Sequence, residues 1–183
     1  MAIIIVGNGP SILNAKRGKL IDSFKTVIRI NDYILKGYEE FTGTKTDIWA
    51  MDTRNFWLYD QWLDRYKTIP EIWVLPSIAY IKSHTPIEIQ LRTLHNNFYV
   101  APRTQAIALR VKLGAYASTG MATINYALQK FPDVKPIDII GFDHFAGEKC
   151  DYWDKKKKVA PHNSKREREF VSKLINEGRL RRL

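Results

Sequence analysis

The sequence predicts a single α/β domain of Rossmann-like type, a mostly parallel twisted sheet with helices on both faces, spanning residues 1–183. Three observations carry that prediction. Short continuous apolar runs such as Ala2–Val6 and Ile137–Ile140 recur along the chain, each closed by a glycine or a polar loop, as strands covered on both faces require. Stretches with helical spacing lie between several of these runs. A hydrophobic content of 45% with 12% aromatics is that of a chain with a packed core.

Taken in order, Ala2–Val6 is the first strand, and Ser11–Arg17, entered through Pro10, is expected to start a short helix. Thr26–Ile30, Asp47–Met51 and Ile72–Leu75 are the next strands, the last bounded by Pro70 and Pro76. Gln105–Lys112 and Thr119–Lys130 read as helices. The second carries Met121, Ile124, Tyr126, Ala127 and Leu128 and should be well buried. Ile137–Ile140 is a further buried strand. The last helix, Ser164–Glu177, ends at Gly178. The polar stretch 143–161 is long for a compact domain, and we expect a mobile lid whose Tyr152 and Trp153 fold onto a ligand.

The bulk properties narrow the function. No apolar run approaches the ~20 residues of a membrane span. The N-terminus reads as a buried strand and not as a secretory signal. The single cysteine, Cys150, excludes an internal disulfide and a multi-cysteine metal site, which fits a cytoplasmic protein. The net charge is +10, and residues 151–183 hold 11 Lys/Arg against 5 Asp/Glu. Lys155–Lys158 and Arg179–Leu183 concentrate it, and such a tail suits an anionic membrane, an acidic glycolipid or nucleic acid as well as plain solvation.

Four places could carry chemistry. Gly7-Asn8-Gly9-Pro10-Ser11 follows the first strand; its glycines admit a ligand close to the backbone, and a following helix start offers N–H groups to an anion. It is neither a G-x-G-x-x-G fingerprint nor a phosphate loop. Asn31 and Asp52 emerge after the second and third strands, at the carboxyl edge where open parallel sheets bind ligands, and Phe142 does so after Gly141. Ser118-Thr119-Gly120 heads a helix and can cradle a phosphate or simply cap the helix. His162, followed by Glu167, precedes the last helix and is a candidate general base, with Glu167 positioning it or stabilising the helix start. His144 competes for that role; His84 and His95 have no evident partner. The aspartates never form the Asp-x-Asp pair that grips a divalent ion, so no metal is expected.

These motifs occur in an order that resembles the animal-type sialyltransferases, the glycosyltransferase family 29 type, in a small soluble bacterial or viral form. VGNGPSIL through GTKTDIW, about Val6–Trp49, resembles the family's long motif, and YASTGMATINYAL with IDIIGFD, about Tyr116–Asp143, its short motif. Cys150–Asp154 resembles the third motif and His162…Glu167 the very short one. The resemblance implies an inverting, metal-independent transfer through an oxocarbenium-like transition state, with no cofactor beyond the CMP-sugar donor. It implies that Asn8 and Asn31 contact the cytidine monophosphate part and that Ser118, Thr119 and Gly120 hold its ribose or phosphate. Tyr152 would reach the phosphate, and His162 would be the base. Asp151 stands where the family's third motif carries histidine. The disulfide and the membrane anchor of secreted and Golgi members have no counterpart in this sequence.

The expected function is transfer of sialic acid, or the related keto-sugar Kdo, from its CMP donor to a glycan or glycolipid hydroxyl, with peripheral membrane contact through the basic C-terminus. Two other readings stay open. One is a non-catalytic nucleotide- or glycan-binding module of the same fold. The other is a nucleic-acid-binding protein, which the net charge alone would motivate.

Overall fold

The computed structural model describes residues 2–52, 65, 67–75, 97–143, 151–153 and 162–183. Its centre is a seven-stranded sheet: β1 (Ile3–Val6), β2 (Thr26–Ile30), β3 (Ile48–Asp52), β4 (Glu71–Leu75), β5 (Phe98–Val100), β6 (Ile137–Ile140) and β7 (Leu180–Arg182). The spatial order is β5-β4-β3-β2-β1-β6-β7, and every neighbouring pair is parallel. The chain therefore steps outward from β1 to β5, returns to the other side of β1 for β6, and ends the sheet with β7. That reversal beside β1 is where a parallel sheet leaves room for a ligand at its carboxyl edge.

Alternation along the strands sorts the core into two layers. Ile3, Ile5, Ile28, Ile30, Ile48 and Ala50 face α3 (Arg103–Leu113), α4 (Thr119–Lys130) and α5 (Ser164–Asn176). Ile4, Val6, Val27 and Ile140 face the opposite layer, around a 3₁₀ turn at Pro10–Asn14 and α1 (Gly18–Asp22). Trp49, Met51, Ile72 and Val74 continue that second layer beyond α2 (Glu39–Thr42). Helices on both faces of one parallel sheet confirm the expected fold class.

Three local expectations change. The helix expected over Ser11–Arg17 is a 3₁₀ turn followed, after a break, by α1. The break falls at Ala15, whose backbone is extended at φ −150° and ψ 143°, and Gly18 then starts α1 packed so closely on the Glu39 carbonyl that no Cβ would fit. Strand β5 is an addition to the strands expected from the sequence. The basic stretch Arg179–Leu183 is not a free arm, because it carries β7. Leu180 is buried, and Arg181 makes a two-pronged bond of 2.6 and 3.0 Å to the buried Asp138 opposite it in register. The Leu183 N–H adds a bond to the Ile139 carbonyl at 3.1 Å. The Lys155–Lys158 run lies outside the described residues, and no described helix is long and apolar enough to cross a membrane.

Candidate functional site at the carboxyl edge of the sheet

The turn after β1 and the turn after β6 are fitted together. Gly7 N–H donates to the Ile140 carbonyl and Gly9 N–H to the Gly141 carbonyl, both at 2.8 Å. A Cβ on Gly7 would strike the Gly141 carbonyl, and one on Gly9 would lie 2.6 Å from an Asp143 carboxylate oxygen. Only glycine lets the two turns approach this closely. Asp143 then reaches across to Ser11, accepting from its N–H at 2.8 Å and from its hydroxyl. The anion cradle expected at this turn therefore already holds a carboxylate of the chain itself.

Asn8 pins the first turn to the second strand. Its carboxamide donates to the Ile30 carbonyl at 3.0 Å and the Asp32 carbonyl at 3.1 Å. Asn31 sits between them with φ +50°, a left-handed conformation that asparagine tolerates better than most residues. Its carboxamide oxygen accepts from the N–H of the buried Asp52 at 3.2 Å, and its carbonyl accepts from the Trp49 indole at 2.6 Å. Asn8, Asn31 and Asp52 thus share one edge, as expected.

Phe142 joins this edge to α4. A Cβ on Gly7 would lie 3.2 Å from its ring, and one on Gly120 would lie 2.9 Å from it. The ring is wedged between two residues that have no side chain, which brings the first turn and the head of α4 together. At that head Ser118 caps the helix, its hydroxyl accepting from Met121 N–H at 3.1 Å, while Thr119 is buried and its carbonyl accepts from Thr123. Glu167, buried on α5, takes the Ser118 N–H at 2.6 Å and the Ser118 hydroxyl at 2.7 Å. Glu167 therefore braces Ser118, not His162.

His162 is half-buried just before α5, with Nδ1 3.1 Å from the Tyr116 carbonyl. A carbonyl can only accept, so Nδ1 carries the proton in this bond, and in the neutral ring Nε2 carries the lone pair. That tautomer is the one a general base needs. Tyr116 lies two residues before Ser118, so the histidine is tied to the same corner as the α4 cradle.

Tyr152 is placed differently from a lid residue reaching for phosphate. It is buried, its N–H donates to the Asn8 carbonyl at 2.9 Å, and its hydroxyl donates to the Ile34 carbonyl while accepting from Ile34 N–H at 3.2 Å. Its ring meets Tyr38 and Trp153 edge-on at 4.9 and 4.6 Å. Burial pushes its hydroxyl pKa up to about 12, opposed by the Ile34 hydrogen bond and the Arg29 charge. Asp151 is half-buried beside it. The rest of the 143–161 stretch beyond Asp143 and 151–153, with His144 and Cys150, lies outside the described residues, as do His84 and His95.

Two residues not singled out in the sequence shape this edge. Arg29 is fully buried in β2, donating to the Thr42 and Lys45 carbonyls and to Thr46, and burial lowers its pKa. Arg65 stacks 4.2 Å from the Tyr33 ring and donates to the Tyr33 carbonyl at 2.9 Å. Arg65 thereby holds the backbone that Asn8 and Tyr152 grip, while Arg29 holds the 42–46 segment against β2. An arginine inside the apolar run Ile28-Arg29-Ile30 was the available signal, since a buried charge must find acceptors. Among the described residues no three His, Cys, Asp or Glu side chains gather as metal ligands.

Residues 3–75 match the family model described as glycosyltransferase family 29 (sialyltransferase). A CMP-N-acetylneuraminate-beta-1,4-galactoside alpha-2,3-sialyltransferase from Rattus norvegicus is 44% identical over 45 residues, 25% of this chain and 12% of the rat protein. The matched segment is thus a small part of that relative. A mammalian sialyltransferase solved with Gal-beta-1-3GalNAc-ortho-nitrophenol superimposes with a TM-score of 0.67 at 18% identity, covering 100% of this chain and 68% of the other. A Campylobacter jejuni sialyltransferase solved with cytidine-5'-monophosphate gives 0.55 at 15%, covering 100% and 79%. Residues 3–75 thus resemble glycosyltransferase family 29, and the chain shares the fold of the solved sialyltransferases.

Proposed function

We propose that this protein is a glycosyltransferase that moves sialic acid, or the related keto-sugar Kdo, from its CMP donor to a glycan hydroxyl, with inversion and without metal. The observation that carries the reading is the His162–Tyr116 bond, which sets an acceptor nitrogen beside the head of α4. The solved relatives support both halves: the Campylobacter jejuni protein holds cytidine-5'-monophosphate and the mammalian one a galactoside. Asn31 and the Asn8-braced turn would face the cytidine, and the first-turn N–H groups of α4 at Thr119 and Gly120 would face the phosphate.

The acceptor hydroxyl gives its proton to Nε2 of His162 as its oxygen bonds to the anomeric carbon of the donor sugar. The bond from that carbon to the phosphate oxygen breaks, and CMP leaves with the electron pair. Attack from the face opposite the leaving group inverts the anomeric centre. His162→Ala should keep CMP binding, measured by thermal shift, and lose ~10²–10⁴ of the transfer rate. Unchanged transfer by a folded variant would overturn the role of His162.

One observation favours a second reading, binding without transfer. The Tyr152 hydroxyl is engaged by Ile34, and the residue before it is an aspartate, which would repel a leaving phosphate. Stabilisation by CMP with neither transfer nor donor hydrolysis would identify that case.

A further inference from the structure

On the outer face of α3, linked to His162 through Tyr116, the surface opens into a groove of about 490 Å³ lined by Ile107, Arg110, Val111 and Gly114. This is within the ~300–1,000 Å³ of small-molecule sites. Ile107 and Val111, one turn apart on α3, are 49% and 77% exposed, while Leu109 and Leu113 face the core. The Arg110 guanidinium lies 4.3 Å from the centre of the Tyr116 ring, itself 38% exposed. Tyr116 thereby does two things: its ring carries Arg110, and its carbonyl holds the histidine.

A second guanidinium stands at the end of the groove. Gly114 has φ +60°, and a Cβ there would collide with the Arg166 guanidinium, which donates to the Leu113 carbonyl at 3.1 Å. Neither Arg110 nor Arg166 has a carboxylate partner among the described residues. Between Arg103 and Ser118 the chain carries Arg103, Arg110 and Lys112 and no acidic residue. A guanidinium stacked on an aromatic ring is already oriented, so it loses little freedom when it pairs with a carboxylate in its forked geometry.

The geometry points to this groove as the acceptor side of the site, selective for a glycan that already carries a carboxylate sugar, with that carboxylate held by Arg110 and drawn by Arg166. The inference rests on the transferase reading for the reaction, but the preference for an acidic ligand shows in binding alone. A sugar ring would lie along Ile107 and Val111, and a hydroxyl of its neighbour would reach His162.

The test titrates sialyllactose and lactose onto the CMP-saturated protein by calorimetry, with Arg110→Gln and Arg110→Lys beside the wild type. Sialyllactose should bind about tenfold or more tighter than lactose, as one charge-assisted pair provides. Arg110→Gln should remove that preference, and Arg110→Lys should keep part of it. Raising the salt concentration should narrow the gap in the wild type. Arg110 is exposed, so all three proteins should share one Tm. Equal binding of the two sugars, or a preference that survives Arg110→Gln, overturns the proposal. Arg110-dependent binding to phosphatidylserine vesicles with no sugar preference also overturns it, in favour of a lipid surface. Transfer of sialic acid to both sugars alike sinks this inference and keeps the transferase. Selective, Arg110-dependent binding of sialyllactose with no transfer keeps the groove and sinks the transferase.

Discussion

Glu167 is the residue that ties α5 to the head of α4. It is buried, and both carboxylate oxygens are taken by Ser118, one by the N–H and one by the hydroxyl. Removing it in Glu167→Ala leaves two buried donors without acceptors, a loss of about 3 kcal/mol in urea unfolding, since bonds to charged acceptors contribute ~1.5–3 kcal/mol each. Glu167→Gln keeps one acceptor and should lose about half as much. Equal stability of Glu167→Ala and wild type would refute the bracing role. The spacing of His162 and Glu167 pointed to both residues. It could not name the partner of Glu167, because Ser118 is adjacent only in space. Asn8 and Asn31 were legible for a different reason: each follows an apolar run directly, so the end of the strand places it. Arg29 and Arg65 were not, because their roles depend on carbonyls and rings supplied by other loops.

At the scale of elements, the strands read best where burial is on both faces, because a continuous apolar run leaves no alternation to misjudge. Thr26–Ile30 and Ile137–Ile140 match their expected limits for this reason. β7 hid behind its arginines. Its single inward apolar residue is Leu180, and Arg181 is accommodated only because Asp138 waits opposite it. Deleting Arg179–Leu183 should therefore lower Tm markedly, since it uncovers the edge of β6 and leaves Asp138 buried without its arginine. A deletion variant that melts with the wild type would show that β7 contributes nothing. A charged tail and an edge strand look alike in composition; only the register separates them.

At the scale of the whole molecule, several hydroxyls are held neutral in its interior. Burial raises the pKa of Tyr152 to about 12 and that of Tyr33 in the same direction. The unfolded chain ionises tyrosine near pH ~10. The folded state therefore holds the Tyr152 proton more tightly, and the stability this gives is present below pH ~10 and lost as the pH rises from there through about 12. The urea midpoint of the wild type should fall between pH 9 and 11 by more than that of Tyr152→Phe. The variant should be the less stable of the two at pH 9, because it lacks the bonds to Ile34. Parallel falls in the two proteins would show that Tyr152 titrates as it does in the unfolded chain.

The reversal of strand order beside β1 has a consequence for how the molecule forms. One edge of β1 pairs with β2, its near neighbour in sequence, while the other pairs with β6, in the register Ile5 to Ile139. The stretch that bears the family match ends at residue 75, before β6 exists. Until β6 arrives, the most apolar strand of the protein has an open, sticky rim, and Gly7 and Gly9 have no turn to lean on. Closing so long a loop is entropically costly and slow. Nascent chains of this protein should therefore depend on protection from one another until the second half is made, and pulse-chase aggregation of a 1–130 fragment against the full chain would show it.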